Sequence, residues 1–268
     1  MPKKAKLLIY WDYELQTGAN QAISTKGKWN GFDDYNATKD LLKILKNHNI
    51  KSTFAIVGVC AKSNTLPYSS IKQIEQIAKD GHAIASHTMN HEYLPDLTIK
   101  QIIQTLKQSK QILEKITNKK VTSFVPPHNQ PAYFHGLTLE TKKKLALSKI
   151  TLNKLSKILK KLGYKTYRNN YLTPFQTKIL KIAKSHKPFY KNNIKFYNLN
   201  CSDGFGKDAK EVVKHAIKTK STAVVIAHPW ALNFPGNQSK EMFLKFIEFI
   251  KRLEEKGLLE ITTTEKLV

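Results

Sequence analysis

Two histidines four residues apart, His87 and His91 in SHTMNH, and two acids one residue apart, Asp12 and Glu14 in WDYEL, are the side chains of this chain best placed for chemistry. Imidazole nitrogen and carboxylate oxygen are ordinary donors to zinc and similar divalent ions, and a catalytic site of that kind has three protein ligands and one position for water. One turn of helix would aim both rings at a shared point. Alternation along a strand would send the Asp12 and Glu14 carboxyls to one face, and carboxylates that end a buried strand need a metal or a cation as partner. Plainer readings compete: nine histidines in 268 residues produce such spacings by chance, and acids beside a loop commonly cap a helix or face water. A second acid pair, Asp33 and Asp34 after Phe32, resembles a metal site by its letters. No apolar strand precedes it, and it reads as solvated loop acids ahead of a helix starting at Ala37.

These residues need elements to hold them. Strand-like runs at 6–13, 51–57, 83–86, 121–125, 165–168, 193–200, 223–227 and 259–263 alternate with helical patterns at 37–47, 70–79, 98–117, 152–162, 208–219 and 240–256. Seven or eight such units argue for parallel strands joined by crossovers, in a barrel or a doubly wound sheet. A lysine-rich stretch around 133–150 reads as a surface insertion, and 174–193 is poorly patterned. In both architectures reactive groups sit just past the carboxyl ends of the strands. Asp12 and Glu14 follow the first strand, His87 and His91 the third, His128 the fourth, Asp203 the sixth and His228 the seventh, so all fall on one rim. Pro229 stops the strand behind His228, a place where a histidine is either a hydrogen-bonded core residue or a catalyst. A carboxylate such as Asp203 reaching an imidazole would raise its pKa toward the proton-donating range.

A hydrophobic content of 41% over this length can bury one sizeable core, so a single domain over 1–268 is the expectation. The apolar run before Asp12 is too short for a signal-peptide core, and no stretch is long enough for a transmembrane segment. Cys60 and Cys201 are the only cysteines, which excludes a disulfide framework and points to a reduced, cytoplasmic setting. The formal net charge is +25, but Arg168 and Arg252 are the only arginines. Readers of base edges rely on arginine, so no specific nucleic-acid partner is expected. The lysine excess reads either as compositional bias or as a preference for acidic partners.

At this point the letters resemble the polysaccharide deacetylase family, the NodB-homology domain of carbohydrate esterase family four. KDGHAIASHTMNHEYL is similar to its second motif, WDYEL to its acidic first motif with one residue between the acids, FVPPHNQPAY to the third, SDGF to the fourth and IAHPW to the fifth. The resemblance runs from about Lys6 to Trp230 and is poor between Tyr133 and Asn193. It implies an α/β fold, a distorted (β/α) barrel with about seven parallel strands. Asp12 would be the general base, Glu14, His87 and His91 the metal ligands, and His228 the general acid, with Asp203 and His128 as further catalytic residues. Zinc is the expected metal, with cobalt, manganese or nickel as alternatives. Glu14 is one methylene longer than the family's usual aspartate. The third-motif arginine that orients the base is missing, and His128, helped by Arg168, is its nearest equivalent. Trp11, Tyr93, Asn129 and Trp230 are expected to contact substrate. The implied activity is removal of an N-acetyl group from an amino sugar in a glycan or glycan precursor, for which the charge would also suit an anionic substrate. A deformylase or other amide hydrolase on the same scaffold, and a non-catalytic glycan-binding protein, are the competing readings. Nothing in the sequence bears on oligomeric state.

Overall fold

The computed structural model describes residues 4–22, 25–134, 137–140, 146–147, 150–170, 188–199 and 204–267. In chain order the elements are β1 (Ala5–Tyr13), α1 (Leu15–Gln21), α2 (Gly31–Asn47), β2 (Thr53–Ile56), α3 (Ile71–Lys79), β3 (Ala83–Ser86), α4 (Ile99–Thr117) and β4 (Ser123–Phe124). There follow β5 (Ala132–Phe134), β6 (Leu137–Glu140), β7 (Ala146–Leu147), α5 (Leu152–Lys161), β8 (Thr166–Asn170), β9 (Phe189–Lys191) and β10 (Ile194–Leu199). The chain closes with α6 (Lys207–Thr219), β11 (Thr222–Ala227), α7 (Lys240–Glu255) and β12 (Leu259–Thr262).

β1 is apolar on both faces, as a strand buried in a parallel sheet must be, and both of its edges are paired. Lys6–Trp11 pairs with β11 on one edge. On the other, β12 takes Ala5–Leu8 and β2 takes Tyr10–Tyr13, end to end. The hydrogen-bonded order is β11-β1-β2-β3-β4-β8-β10-β9, parallel throughout except for the antiparallel β9–β10 pair. This is the expected α/β architecture, with β12 docked beside β1 as an additional parallel strand. Among the described residues no pairing joins β10 to β11, so the barrel is not closed by hydrogen bonds there.

Period-two alternation divides the core. Leu7, Ile9, Trp11 and Tyr13 of β1 join the large layer between sheet and helices, with Phe205, Phe243, Phe246 and Leu113. Leu8 and Tyr10 face the other way, into a narrow interior with Ala55, Ala85, Val125, Tyr197 and Val224. Each large apolar side chain buried this way contributes about 1.5–3 kcal/mol. Hydroxyl side chains start the helices: Ser70, Thr98, Thr151 and Ser239 each accept a backbone N–H three residues on, which satisfies donors the helix leaves open.

Two elements differ from the sequence reading. α2 begins at Gly31 and not at Ala37, because Asn30 and Asp33 form a reciprocal capping box, so the supposed loop acids are the first turn of a helix. The polar stretch after β1 contains α1, whose entry requires the left-handed φ of 49° at Leu15. Within the lysine-rich insertion the described residues form a three-stranded antiparallel sheet in the order β5-β6-β7. Most of the poorly patterned stretch lies outside the described residues.

Candidate active site

Asp12 has the parity of Leu8 and Tyr10, so its carboxylate points into the interior at the top of β1. There it meets Arg168, carried by β8. Both guanidinium nitrogens Nη1 and Nη2 donate to it, at 2.8 Å each. Arg168 is fully buried, stands 5.0 Å from the Tyr10 ring centroid and also donates to Asn129 Oδ1 at 3.3 Å. Burial alone would raise the pKa of Asp12, but the Arg168 guanidinium, and after it His87, hold the carboxyl below its ordinary value. The base-orienting contact that the sequence assigned first to His128 is therefore made by Arg168. His128, at φ 57°, sets its ring against His91 with centroids 4.7 Å apart.

Glu14 sits one step past the strand. Its Oε1 lies 3.1 Å from His91 Nε2, 3.5 Å from His87 Nε2 and 3.9 Å from His228 Nε2. A Cβ at Gly18, one turn further on, would fall 2.1 Å from Glu14 Oε2, so the longer acid occupies space that glycine leaves free. The two histidines converge without a helix. Thr88 and His91 both have φ near 60°. The turn is pinned by Glu92, which accepts from the Asn90 amide and the Thr105 hydroxyl, while Thr105 Oγ1 accepts from the Met89 amide.

The tautomers follow from the outer partners. His87 Nδ1 lies 2.9 Å from the Val125 carbonyl, which can only accept. Gln21 Nε2 donates to the Asn90 carbonyl, so its Oε1 faces His91 Nδ1 at 3.0 Å. Both Nδ1 atoms must donate, and in the neutral rings Nε2 then presents a lone pair. In that tautomer two nitrogen lone pairs face a buried carboxylate, and among the described residues His91 Nε2 makes no hydrogen bond of regular geometry. Acceptors facing acceptors across such distances call for a cation, and the ligating atoms of Glu14, His87 and His91 all lie within 4.8 Å of one another. This donor set fits a divalent ion of the zinc type, with the second ring nitrogens oriented by carbonyl-type acceptors as such sites require.

His228 ends β11 opposite this group. Its backbone N–H donates to Gln238 Oε1 at 2.7 Å, and Nδ1 lies 3.3 Å from the same atom, leaving Nε2 to face Glu14. Asp12, Glu14 and His228 form a second set of close donors that shares Glu14. All three line a cleft of about 480 Å³. Asn129 and Trp230 line it too, and Trp230 stacks on Trp29 with centroids 4.6 Å apart and planes 5° from parallel. Trp11 does not: its ring is buried between Phe205 and Phe243. The alternation that turns Asp12 inward turns Trp11 into the helix layer, so the expectation that it stacks on substrate is corrected. Tyr93 packs against the His128 ring and is not among the residues lining the cleft. Asp203 lies outside the described residues.

Asp33 and Asp34 also differ from expectation. Asp33 caps α2. Asp34 is fully buried, and its carboxylate accepts the N–H groups of Glu14, Leu15 and Trp230. Burial pushes this carboxyl up to about 7, against the pull of the Leu15 and Glu14 amides. Gln21, Trp29, Asp34 and Gln238 escaped the sequence reading. For Asp34 the capping signal Asn-x-x-Asp was available and would have placed it on a helix; for the other three no local pattern marks the role.

Residues 26–148 match the polysaccharide deacetylase family model. That span holds His87 and His91 and begins after Asp12 and Glu14, whose place in the site rests on geometry. A peptidoglycan-N-acetylglucosamine deacetylase from Bacillus cereus is 30% identical over 90 residues, 34% of this chain and 39% of its own length. Chitin deacetylase 1 from Saccharomyces cerevisiae is 37% identical over 73 residues, 27% of this chain and 21% of its own length. The chain thus spans well under half the length of these curated relatives. A solved structure of the polysaccharide deacetylase type from Mycobacterium smegmatis superposes on 100% of this chain and 90% of its own, with a TM-score of 0.66 at 14% identity. That likeness shows a shared fold.

Proposed function

We propose that the chain, whose residues 26–148 match the polysaccharide deacetylase family model, is a metal-dependent hydrolase of that type that removes an N-acetyl group from an amino sugar of a glycan or glycan precursor. The observation that carries the reading is the convergence of His91 Nε2 and His87 Nε2 on the Glu14 carboxylate, at 3.1 and 3.5 Å, beside a buried acid and a histidine that reach the same cleft. Glu14, His87 and His91 would hold the ion, zinc in the first instance. A bound ion would supply Lewis acidity, polarising the acyl carbonyl and bringing the pKa of a water to about 7.

The protein's own groups divide the remaining work. Asp12, kept ionised by Arg168, takes a proton from the attacking water. A carboxylate held below its ordinary pKa is a weak base toward bulk water, so this transfer depends on that acidification. His228 Nε2, with Nδ1 oriented by Gln238, gives a proton to the departing amine nitrogen. Trp29 and Trp230 offer an aromatic wall for a sugar ring. The products are acetate and a free amino sugar.

The test is elemental analysis of purified protein, followed by acetate release from a panel of N-acetylated sugars. About one divalent ion per chain and release from at least one sugar are expected. His87→Ala should lose the ion. Asp12→Asn should keep it while turnover falls roughly 10²-fold or more. Full metal content in His87→Ala would sink the ligand assignment, and formate release in place of acetate would move the activity to the deformylase reading.

A further inference from the structure

Asp34 has no part in the chemistry above, yet it is more deeply buried than either acid of the site, at 0% exposed against 4% for Asp12 and 7% for Glu14. No cation pairs with it among the described contacts. Its Oδ2 accepts the backbone N–H of Glu14 at 3.1 Å and of Leu15 at 2.8 Å, and its Oδ1 accepts that of Trp230 at 3.2 Å. These amides belong to two corners of the rim. One follows β1 and carries Glu14 into the strained Leu15. The other follows β11, where Trp230 stands two residues beyond His228. Three donors arriving at two oxygens suit a carboxylate, whereas an asparagine offers one acceptor oxygen and would turn an N–H toward an N–H.

We propose that Asp34 is the positioning residue of this rim, tying the corner that carries the Glu14 ligand to the corner that carries His228, so that one side chain sets the separation of metal ligand and proton donor. The proposal rests on the metal reading of Glu14. It accounts for a buried acid that accepts three amides but meets no cation among the described residues, which α2 delivers one turn after its cap. It also accounts for the main-chain contact between helix and rim: the side chain reaches past the helix layer to amides that no strand or helix partner satisfies.

Asp33 supplies the control, because it closes the capping box of the same helix turn and touches neither corner. Zinc dissociation constants are measured by competition with a chromophoric chelator, together with turnover on an N-acetyl sugar and on an activated acetate ester, and with thermal melts. Asp34→Asn is expected to melt cooperatively and to bind zinc about 10- to 100-fold more weakly. It should also lose more turnover on the amide than on the ester, since His228 is displaced as well. Asp33→Asn should lower the melting temperature while the zinc constant stays at the wild-type value. Should Asp34→Asn fail to fold, Asp34→Glu, which keeps charge and acceptors but moves them by one methylene, decides by the same zinc measurement. A folded Asp34 variant with wild-type zinc affinity and a wild-type amide-to-ester ratio overturns the proposal and leaves Asp34 a helix-packing acid. Wild-type protein that binds no zinc would overturn the metal reading itself, a separate result.

Discussion

At the carboxyl end of the parallel strands a cleft of about 480 Å³ is lined by Asp12, Glu14, His91, His228 and two stacked tryptophans, with no lysine among its described lining residues. At the amino end a hollow of about 300 Å³ is lined by Lys4, Lys6, Lys195 and Lys220. Lys6 approaches Glu260 at 3.8 Å, and Lys195 donates to the Leu267 carbonyl at 2.9 Å. In a chain with a net charge of +25, this contrast separates two causes of charge. The lysines belong to the outside of the molecule. The described lining of the cleft offers aromatic faces, neutral amides and buried acids beside imidazoles, which under the proposed reaction would favour a neutral acylated sugar. An acidic partner, if one is drawn by the field of the whole molecule, would meet its cations away from the cleft.

The contrast breaks most severely at Arg168, the buried cation of the carboxyl end. Arg168→Met should cost about 3–5 kcal/mol, because it leaves the Asp12 carboxylate buried and unpaired. The pH dependence follows from the direction of the shift. Asp12 is held below its unfolded value of about 3.9, so its contribution to stability is present above that pH and is lost as pH falls through the folded pKa. Without the guanidinium, burial dominates and the carboxyl titrates higher. The acid limb of kcat/KM should therefore move to higher pH in the variant, and the variant's loss of stability should shrink as pH falls through the raised pKa of Asp12, where the buried carboxyl becomes neutral. Urea melts and a pH–rate profile check both, and an unmoved limb would remove Arg168 from the role of holding Asp12 ionised.

A smaller effect is expected at His228. Its imidazole is oriented through Gln238 and, in the proposed reaction, acts late, on the leaving nitrogen. His228→Gln should lower turnover on an N-acetyl sugar by about 10²-fold while an activated acetate ester, whose leaving group needs little protonation, loses far less. Equal losses on both substrates would assign His228 to ion binding, as part of the second donor set with Asp12 and Glu14.

How far the site was legible follows from the kind of pattern each residue obeys. Strand ends and period-two alternation located Asp12, Glu14, His87, His91 and His228 on one rim, because in a parallel sheet those positions share a side by construction. The same alternation, followed one residue further, would have excluded Trp11. His87 and His91 came out together for a different reason than helical spacing, since left-handed residues at Thr88 and His91 fold the segment back. Gln21 and Gln238 reach the site through contacts with His91 and His228, 70 and 10 residues away, which leave no local periodicity. Asp34 was misplaced because α2 was started six residues late, and an acid in a first helical turn can point inward as readily as outward. Arg168 was noticed as one of two arginines, but its pairing with Asp12 spans 156 residues and depends on β8 lying in the sheet beside β4.

The smallest effect should come from the lysine end, and it sharpens the contrast most cleanly. Lys4→Glu with Lys220→Glu changes the net charge by four units at a surface that touches none of the reacting groups. Stability should move by no more than about 0.5 kcal/mol per site. For a neutral N-acetyl sugar, kcat and KM should match wild type at both low and high salt, since no long-range attraction is available to lose. An anionic N-acetyl sugar supplies the stringent arm. If its cations lie in the cleft, its KM should also be unaffected; if it is steered by the field of the molecule, its kcat/KM should fall at low salt and recover as the screening length shrinks to about 10 Å at 0.1 M. A change in KM for the neutral sugar, persisting at high salt, would mean that the two ends communicate through structure, and the separation of charge from site would have to be given up.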